Sequence, residues 1–165
     1  MNKTHFILSR EIAYRKIRRM AYEIVERNIN EEQIILAGIK ESGLIIANLL
    51  YEILKDVFKG EIMVIGIALD KKNPKNISLS NEINFEDKII IIIDDVANTG
   101  RTLLYALKPF LHFYPKKIQT LVLVERSHKE FPVSPDYVGL SLSTALSEKI
   151  IVETESGEIV GARIQ

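Results

Sequence analysis

Cysteine is absent from the 165-residue chain, which excludes a disulfide framework and any thiolate-held metal and suits a reducing, cytoplasmic setting. No apolar stretch approaches the length of a membrane span. The first residues, Met1 to Phe6, lack the apolar core of a signal peptide. An excess of either charge is missing too: Lys+Arg and Asp+Glu balance at 22 each, so bulk charge gives no support to nucleic-acid binding. No Gly-x-x-x-x-Gly-Lys-Ser/Thr run occurs, which removes a Walker-type nucleotide site. Internal repeats, low-complexity runs and a domain linker are lacking as well. What remains is one domain over residues 1–165, long enough for a real core.

Against these absences stands one dense stretch, Ile89 to Thr102. Five consecutive isoleucines, Ile89–Ile93, are β-branched and apolar on both faces, as a central strand covered by helices on both sides requires. The run stops at Asp94 and Asp95. Two neighbouring carboxylates are costly to bury unless paired, so they are expected just past the strand's carboxyl end, where open α/β sheets place ligands. Thr99-Gly100-Arg101-Thr102 follows, then the helical pattern of Leu103, Leu104 and Leu107. Backbone N–H groups at a helix start, joined by Thr hydroxyls, make an anion site. A buried strand with a polar turn and a capping Thr accounts for any one of these features. Strand, acids and Thr-Gly-Arg-Thr in succession point instead to a site for hydroxyls or a metal, with a phosphate cradle beside it.

The rest of the chain supplies a frame. Ser9 caps a predicted helix to about Arg27, striped by Ile12, Ile17, Met20, Ala21, Ile24 and Val25. Its cations, Arg10, Arg15, Lys16, Arg18, Arg19 and Arg27, read as a solvated face or as a surface for RNA or a partner subunit. Gln33–Ala37 is a strand, Gly38–Gly43 a glycine-bounded loop, and Leu44–Leu54 a buried helix. Glu61–Leu69 is a strand, and Asp70–Asn76 a mobile loop whose Lys71, Lys72 and Lys75 are placed either to close over a polyphosphate or to sit at a solvated hairpin tip. Leu103–Phe113 is a helix, Ile118–Glu125 and Tyr137–Leu142 are strands, and Lys149–Thr154 and Glu158–Ile164 form a hairpin about Ser156-Gly157. The fold class is α/β, a mainly parallel sheet flanked by helices.

The run from Ile89 to Thr102 resembles the phosphoribosyl-pyrophosphate (PRPP) signature of type I phosphoribosyltransferases: apolar strand, two acids, three variable residues, then Thr/Ser-Gly-x-Thr/Ser. The similarity covers most of the chain. Arg18–Asn28, the Gly-Ile-Lys loop, Leu121–Lys129, Pro135–Gly139 and Ser147–Lys149 are similar to the pyrimidine-operon attenuators that are also uracil phosphoribosyltransferases. The resemblance implies a small hood made by the N-terminal segment and the C-terminal strands. It implies transfer of 5-phosphoribosyl from PRPP to a nitrogenous base, with uracil the base that the subfamily suggests, and release of pyrophosphate. The alternative is a PRPP- or nucleotide-sensing regulator, with or without RNA binding.

By that resemblance Asp94 and Asp95 grip the ribose hydroxyls, act as the catalytic acids and lie where Mg²⁺ enters with PRPP. Val96, Ala97, Asn98, Thr99, Gly100, Arg101 and Thr102 wrap the 5′-phosphate. Ile39, Lys40 and Glu41 form the pyrophosphate loop, and Asn98 and Val138 meet the base. A homodimer or higher homo-oligomer is implied too. This chain departs from the subfamily at Glu41-Ser42, where Thr-Arg is usual, and at Asn98, where an aromatic is usual. Leu140 and Ser143 replace a Lys and a Pro, and Arg18 and Tyr22 a Thr and a His linked to RNA. A receiver-type phosphate binder is disfavoured, because the strand Leu121–Val124 ends in Glu125 and not in Lys.

Overall fold

The computed structural model describes residues 6–165; Met1–His5, read above as lacking a signal-peptide core, lie outside it. In chain order the elements are β1 (Phe6–Ser9), α1 (Arg10–Arg27), β2 (Gln33–Ile39), α2 (Ser42–Val57), β3 (Glu61–Leu69), β4 (Ile77–Leu79), β5 (Ile89–Ala97), α3 (Arg101–Ala106), a 3₁₀ turn (Lys108–Phe110), β6 (Lys117–Arg126), β7 (Tyr137–Leu142), β8 (Ile150–Glu155) and β9 (Glu158–Ile164). No helix among the described residues is long and apolar enough to cross a membrane.

The main sheet has six strands in the order β4-β3-β2-β5-β6-β7. Its pairings are parallel except that of β4, which runs antiparallel to β3. β5 lies inside this sheet between β2 and β6, which is why it tolerates an uninterrupted isoleucine run. Period-2 alternation sends Ile89, Ile91 and Ile93 into a core shared with α1 and α2, through Ile17, Met20, Ile24, Ile46 and Leu50. Ile90 and Ile92 enter a second core on the opposite face, with Leu103, Phe85 and Phe110. There Phe85 meets Phe110 edge-on, ring centres 4.9 Å apart, a favoured aromatic geometry.

The hood is a separate three-stranded antiparallel sheet, β1-β9-β8. Its make-up matches the expected pairing of the N-terminal segment with the C-terminal hairpin, although β1 itself was not foreseen. Neither was β4, which makes Asp70–Asn76 the tip of a β3–β4 hairpin.

Two boundaries and the burial of one residue differ from the sequence expectation. β2 runs to Ile39, so the loop before α2 is only Lys40-Glu41, joined by a cis peptide. The helix expected over Leu103–Phe113 is a six-residue α3 and a 3₁₀ turn; Pro109 has no N–H to continue the ladder. Ile12 is 44% exposed, because it stands five residues before Ile17 and so roughly 140° around the helix from it.

α1 is fastened at both ends. The Ser9 hydroxyl accepts the Ile12 N–H at its start. At its end Asn28, 1% exposed, donates to the Ile24 carbonyl and to Gln119 Oε1 and accepts from Lys117 Nζ. Tyr137 also donates to Gln119. Asn28→Ala deletes a hub and leaves buried polar partners unpaired, a loss of about 2–3 kcal/mol, read as a lower urea midpoint with an unchanged m-value. Four of the six cations singled out on α1 are engaged within the molecule: Arg10 with Glu158, Arg15 with Glu11, Arg19 with Glu23, and Arg27 with the Asp136 carbonyl.

Candidate active site

Both acids lie inside β5, not beyond its end: the strand continues to Ala97, with Asp94 opposite Val122 and Ala97 opposite Glu125 on β6. Asp94 is 1% exposed. The expectation that they clear the sheet fails because a cation reaches them. Lys71, from the β3–β4 tip, places Nζ 2.9 Å from Asp94 Oδ1 and 3.2 Å from Asp95 Oδ1. Backbone groups help as well: the Asp95 N–H donates to Asp94 Oδ1, and the Val96 N–H to Asp95 Oδ1.

The compensation is uneven. Asp94 Oδ2 is buried with no hydrogen-bond partner, alone among the side-chain polar atoms of the described residues. Burial first, and then repulsion from Asp95, push the Asp94 carboxyl up to about 7 despite Lys71. Burial also pushes Asp95 upward, but Lys71 and hydrogen bonds outweigh it and hold that carboxyl below its ordinary value. Lys71 is raised: the two acids outweigh its own desolvation. The pair thus combines one readily protonated and one firmly ionised group.

Beside the acids opens a cavity of about 550 Å³. Its wall includes Asp95, Val96, Ala97, Asn98, Thr99, Gly100, Arg101 and Thr102, the whole predicted acid-and-phosphate stretch apart from buried Asp94. Gly100 has φ 88°, and a Cβ there would lie 3.2 Å from the Val133 carbonyl oxygen and 3.3 Å from that of Phe131; glycine alone meets both demands. The Thr99 carbonyl accepts the N–H groups of Glu130 and Phe131, and the Thr99 hydroxyl accepts the Arg101 N–H. The loop is therefore shaped before any ligand arrives.

The predicted pyrophosphate loop is brought close by glycine contacts. Gly43, in the first turn of α2, sits so near β5 that a Cβ would lie 2.4 Å from the Ile93 carbonyl oxygen and 3.2 Å from Asp94 Cα. Ile39, Lys40 and Glu41 adjoin the acids by this route, although they are not part of the cavity wall. Lys40 runs its side chain along Gly66 of β3. Val138, predicted at the base, is not at the cavity: it sits in β7, its carbonyl bonded to Arg19.

Sequence reasoning missed the opposite wall. Arg126, Glu130, Phe131 and Lys149, with Ile150–Val152 of the hood, complete the cavity. Arg126 is 5% exposed and donates to the Thr144 hydroxyl and the Ala145 carbonyl. Its place at the carboxyl end of β6 was the one usable signal.

The family model for the phosphoribosyl transferase domain matches residues 5–157. The chain belongs to the phosphoribosyltransferase family. Two similar proteins, both described as bifunctional protein PyrR, come from Streptococcus pneumoniae strains CGSP14 and TIGR4. Each is 38% identical over 157 residues, covering 92% of this chain and 90% of the relative. Among solved structures, a hypoxanthine phosphoribosyltransferase of Trypanosoma cruzi superposes with TM-score 0.78 at 19% identity, covering 97% of both chains. A hypoxanthine-guanine phosphoribosyltransferase of Bacillus anthracis gives 0.72 at 18% identity over 86% of each. At such identities these two speak for the fold, and they share the phosphoribosyltransferase architecture found here.

Proposed function

We propose that this phosphoribosyltransferase binds PRPP across β5 and α3 and transfers its 5-phosphoribosyl group to a nitrogenous base, uracil being the first candidate through the resemblance described above. One observation carries the reading: an acid pair in which Asp94 Oδ2 is buried and unpartnered leads straight into a preformed Thr99–Thr102 loop on one cavity wall. A ribose diol supplies the donors that Asp94 Oδ2 lacks, and the loop holds the 5′-phosphate.

In the reaction the C1–O bond to pyrophosphate breaks and its electron pair leaves with pyrophosphate. A base nitrogen forms the new bond to C1, and the base passes its N–H proton to water or to the departing pyrophosphate. Positive charge on the ribose ring in between is met by the neighbouring Asp95 carboxylate. The cavity side formed by Asn98, Phe131 and Ile150–Val152 takes the base. Asn98 bonds the base edge without acting as a strong general base, since it does not ionise.

Mg²⁺ fits this site only as a companion of the ligand. Among the described residues no group of three or more His, Cys, Asp or Glu could hold a metal. Asp94 and Asp95 therefore offer only a weak two-carboxylate foothold by themselves, and PRPP oxygens and water would complete the shell of a small hard cation. When bound, the ion supplies neutralisation of the departing pyrophosphate.

A second reading, a regulator that senses PRPP or a nucleotide, draws support from Glu41: a carboxylate in the pyrophosphate loop repels the group that an enzyme must hold there. The deciding assay is pyrophosphate release over a panel of uracil, hypoxanthine, guanine, xanthine and adenine. Turnover with one base is expected. PRPP binding in calorimetry with every base inert would award the site to the regulator, and absence of PRPP binding would end the transferase reading and leave only a nucleotide sensor.

A further inference from the structure

The loop between β3 and β4 is not loose. Lys71 reaches two carboxylates at once. The loop's own backbone is pinned to α3 and the 3₁₀ turn after it: Arg101 Nη2 donates to the Lys71 carbonyl at 3.1 Å, and Lys108 Nζ to the Lys75 carbonyl at 3.3 Å. Asp70 Oδ1 accepts the Lys72 N–H and shapes the turn. Lys71 stands only two residues beyond the end of β3, so the tip can lift while the sheet stays whole.

An ammonium on Asp94 Oδ1 and Asp95 Oδ1 puts positive charge where a divalent cation would bind, and with the tip docked Asp94 Oδ2 stays buried, out of reach of a ribose diol. Arg101 is the connecting part. It anchors the Lys71 carbonyl, and it also belongs to the Thr99–Thr102 loop. A phosphate offers that guanidinium charge-assisted hydrogen bonds stronger than the single one to a neutral carbonyl.

From this we infer that Lys71 is an intrinsic stopper of the acid pair, removed by phosphate through Arg101. In the free protein the docked tip bars a divalent cation and the ribose hydroxyls from Asp94 and Asp95. A phosphate seated on the Thr99–Thr102 loop draws Arg101 off the Lys71 carbonyl, the tip lifts, and the acids become available. Binding is therefore ordered, phosphate end first, and metal does not reside in the empty site. The inference rests on the proposed phosphoribosyl site for its natural ligand; its first test uses metal alone and so stands or falls separately.

Mn²⁺ titrated into the full chain and followed by electron paramagnetic resonance reads the acid pair directly. Lys71→Met should bind Mn²⁺ about tenfold more tightly than wild type, and the gain should vanish in Lys71→Met combined with Asp95→Asn. Equal Mn²⁺ affinity in wild type and Lys71→Met, or a gain that survives Asp95→Asn, overturns the stopper. Hydrogen exchange reads the relay: residues 70–76 should exchange faster in ligand-free Arg101→Met, and faster in wild type once ribose 5-phosphate is added. Unchanged exchange in both overturns the role of Arg101. PRPP calorimetry on wild type runs alongside, so that loss of the phosphoribosyl reading is distinguished from loss of the stopper.

Discussion

Asp94→Asn should make the protein more stable at neutral pH while abolishing its hold on PRPP. The sign follows from the proton balance. Burial lifts the Asp94 carboxyl from 3.8 to about 7, so between those values the folded chain holds a proton that the unfolded chain has released. Stability from this group is therefore full below the unfolded value and falls as pH rises through the window. Asparagine cannot ionise, so the cost of carrying a buried charge at this position disappears. A gain of roughly 1–3 kcal/mol at pH 7–8, shrinking towards pH 4, is expected. Asp95 behaves oppositely. Lys71 holds its carboxyl low against burial, so its contribution is present above the unfolded value and lost as pH falls, and Asp95→Asn should destabilise at neutral pH. Urea melts of both variants from pH 4 to 8 give the comparison; parallel curves for Asp94→Asn and wild type would remove the argument. Calorimetry with Mg²⁺ and PRPP should show about a hundredfold weaker binding for Asp94→Asn, since two hydrogen bonds to a charged acceptor disappear.

The second large effect comes from a residue with no side chain. In Gly43→Ala the new methyl would stand 2.4 Å from the Ile93 carbonyl oxygen. Strand β5 is fixed there by β2 and β6, and the first turn of α2 is backbone too, so nothing flexible can give way. A loss of roughly 2–4 kcal/mol follows, or about 5–15 °C in Tm for a chain of this size. PRPP affinity should fall as well, because the same methyl presses on Asp94 Cα. Gly157→Ala is the matched control: nothing lies within 4 Å of its added Cβ, and only its φ of 79° opposes the change, at about 1 kcal/mol. Equal melting of the two variants would contradict the packing account.

How far the sequence reveals this molecule depends on whether the deciding contacts are local. The isoleucine run announced a central strand because its composition reports burial on both faces. Thr99–Thr102 announced an anion loop because Gly100 and the hydroxyls act on their own backbone. The acids were placed beyond the strand because burying them requires a partner, and that partner, Lys71, lies 23 residues upstream. The spacing by itself cannot indicate which loop lysine turns inward. The same limit hid the far cavity wall, since Arg126, Phe131 and Ile150–Val152 meet the phosphate loop only through the tertiary fold. Val138 shows the converse: it lies within the family-like segment Pro135–Gly139, yet its side chain packs against the second core and takes no part in the cavity wall.

The hood carries a consequence for the order in which a ribosome completes this molecule. β1 precedes every strand of the main sheet and pairs with β9, which follows them all. Every strand of the main sheet is in place by Leu142, and so is the second core, whereas β1 must wait unpaired until the β8–β9 hairpin emerges, which also adds Val152, Ile159 and Ala162 to the first core. Contacts of such long sequence separation form late. The back of the cavity, Ile150–Val152, belongs to that same hairpin. A nascent chain thus holds its acid pair and phosphate loop in a folded sheet before it owns an enclosed site, and ligand capture switches on once the β8–β9 hairpin has been made.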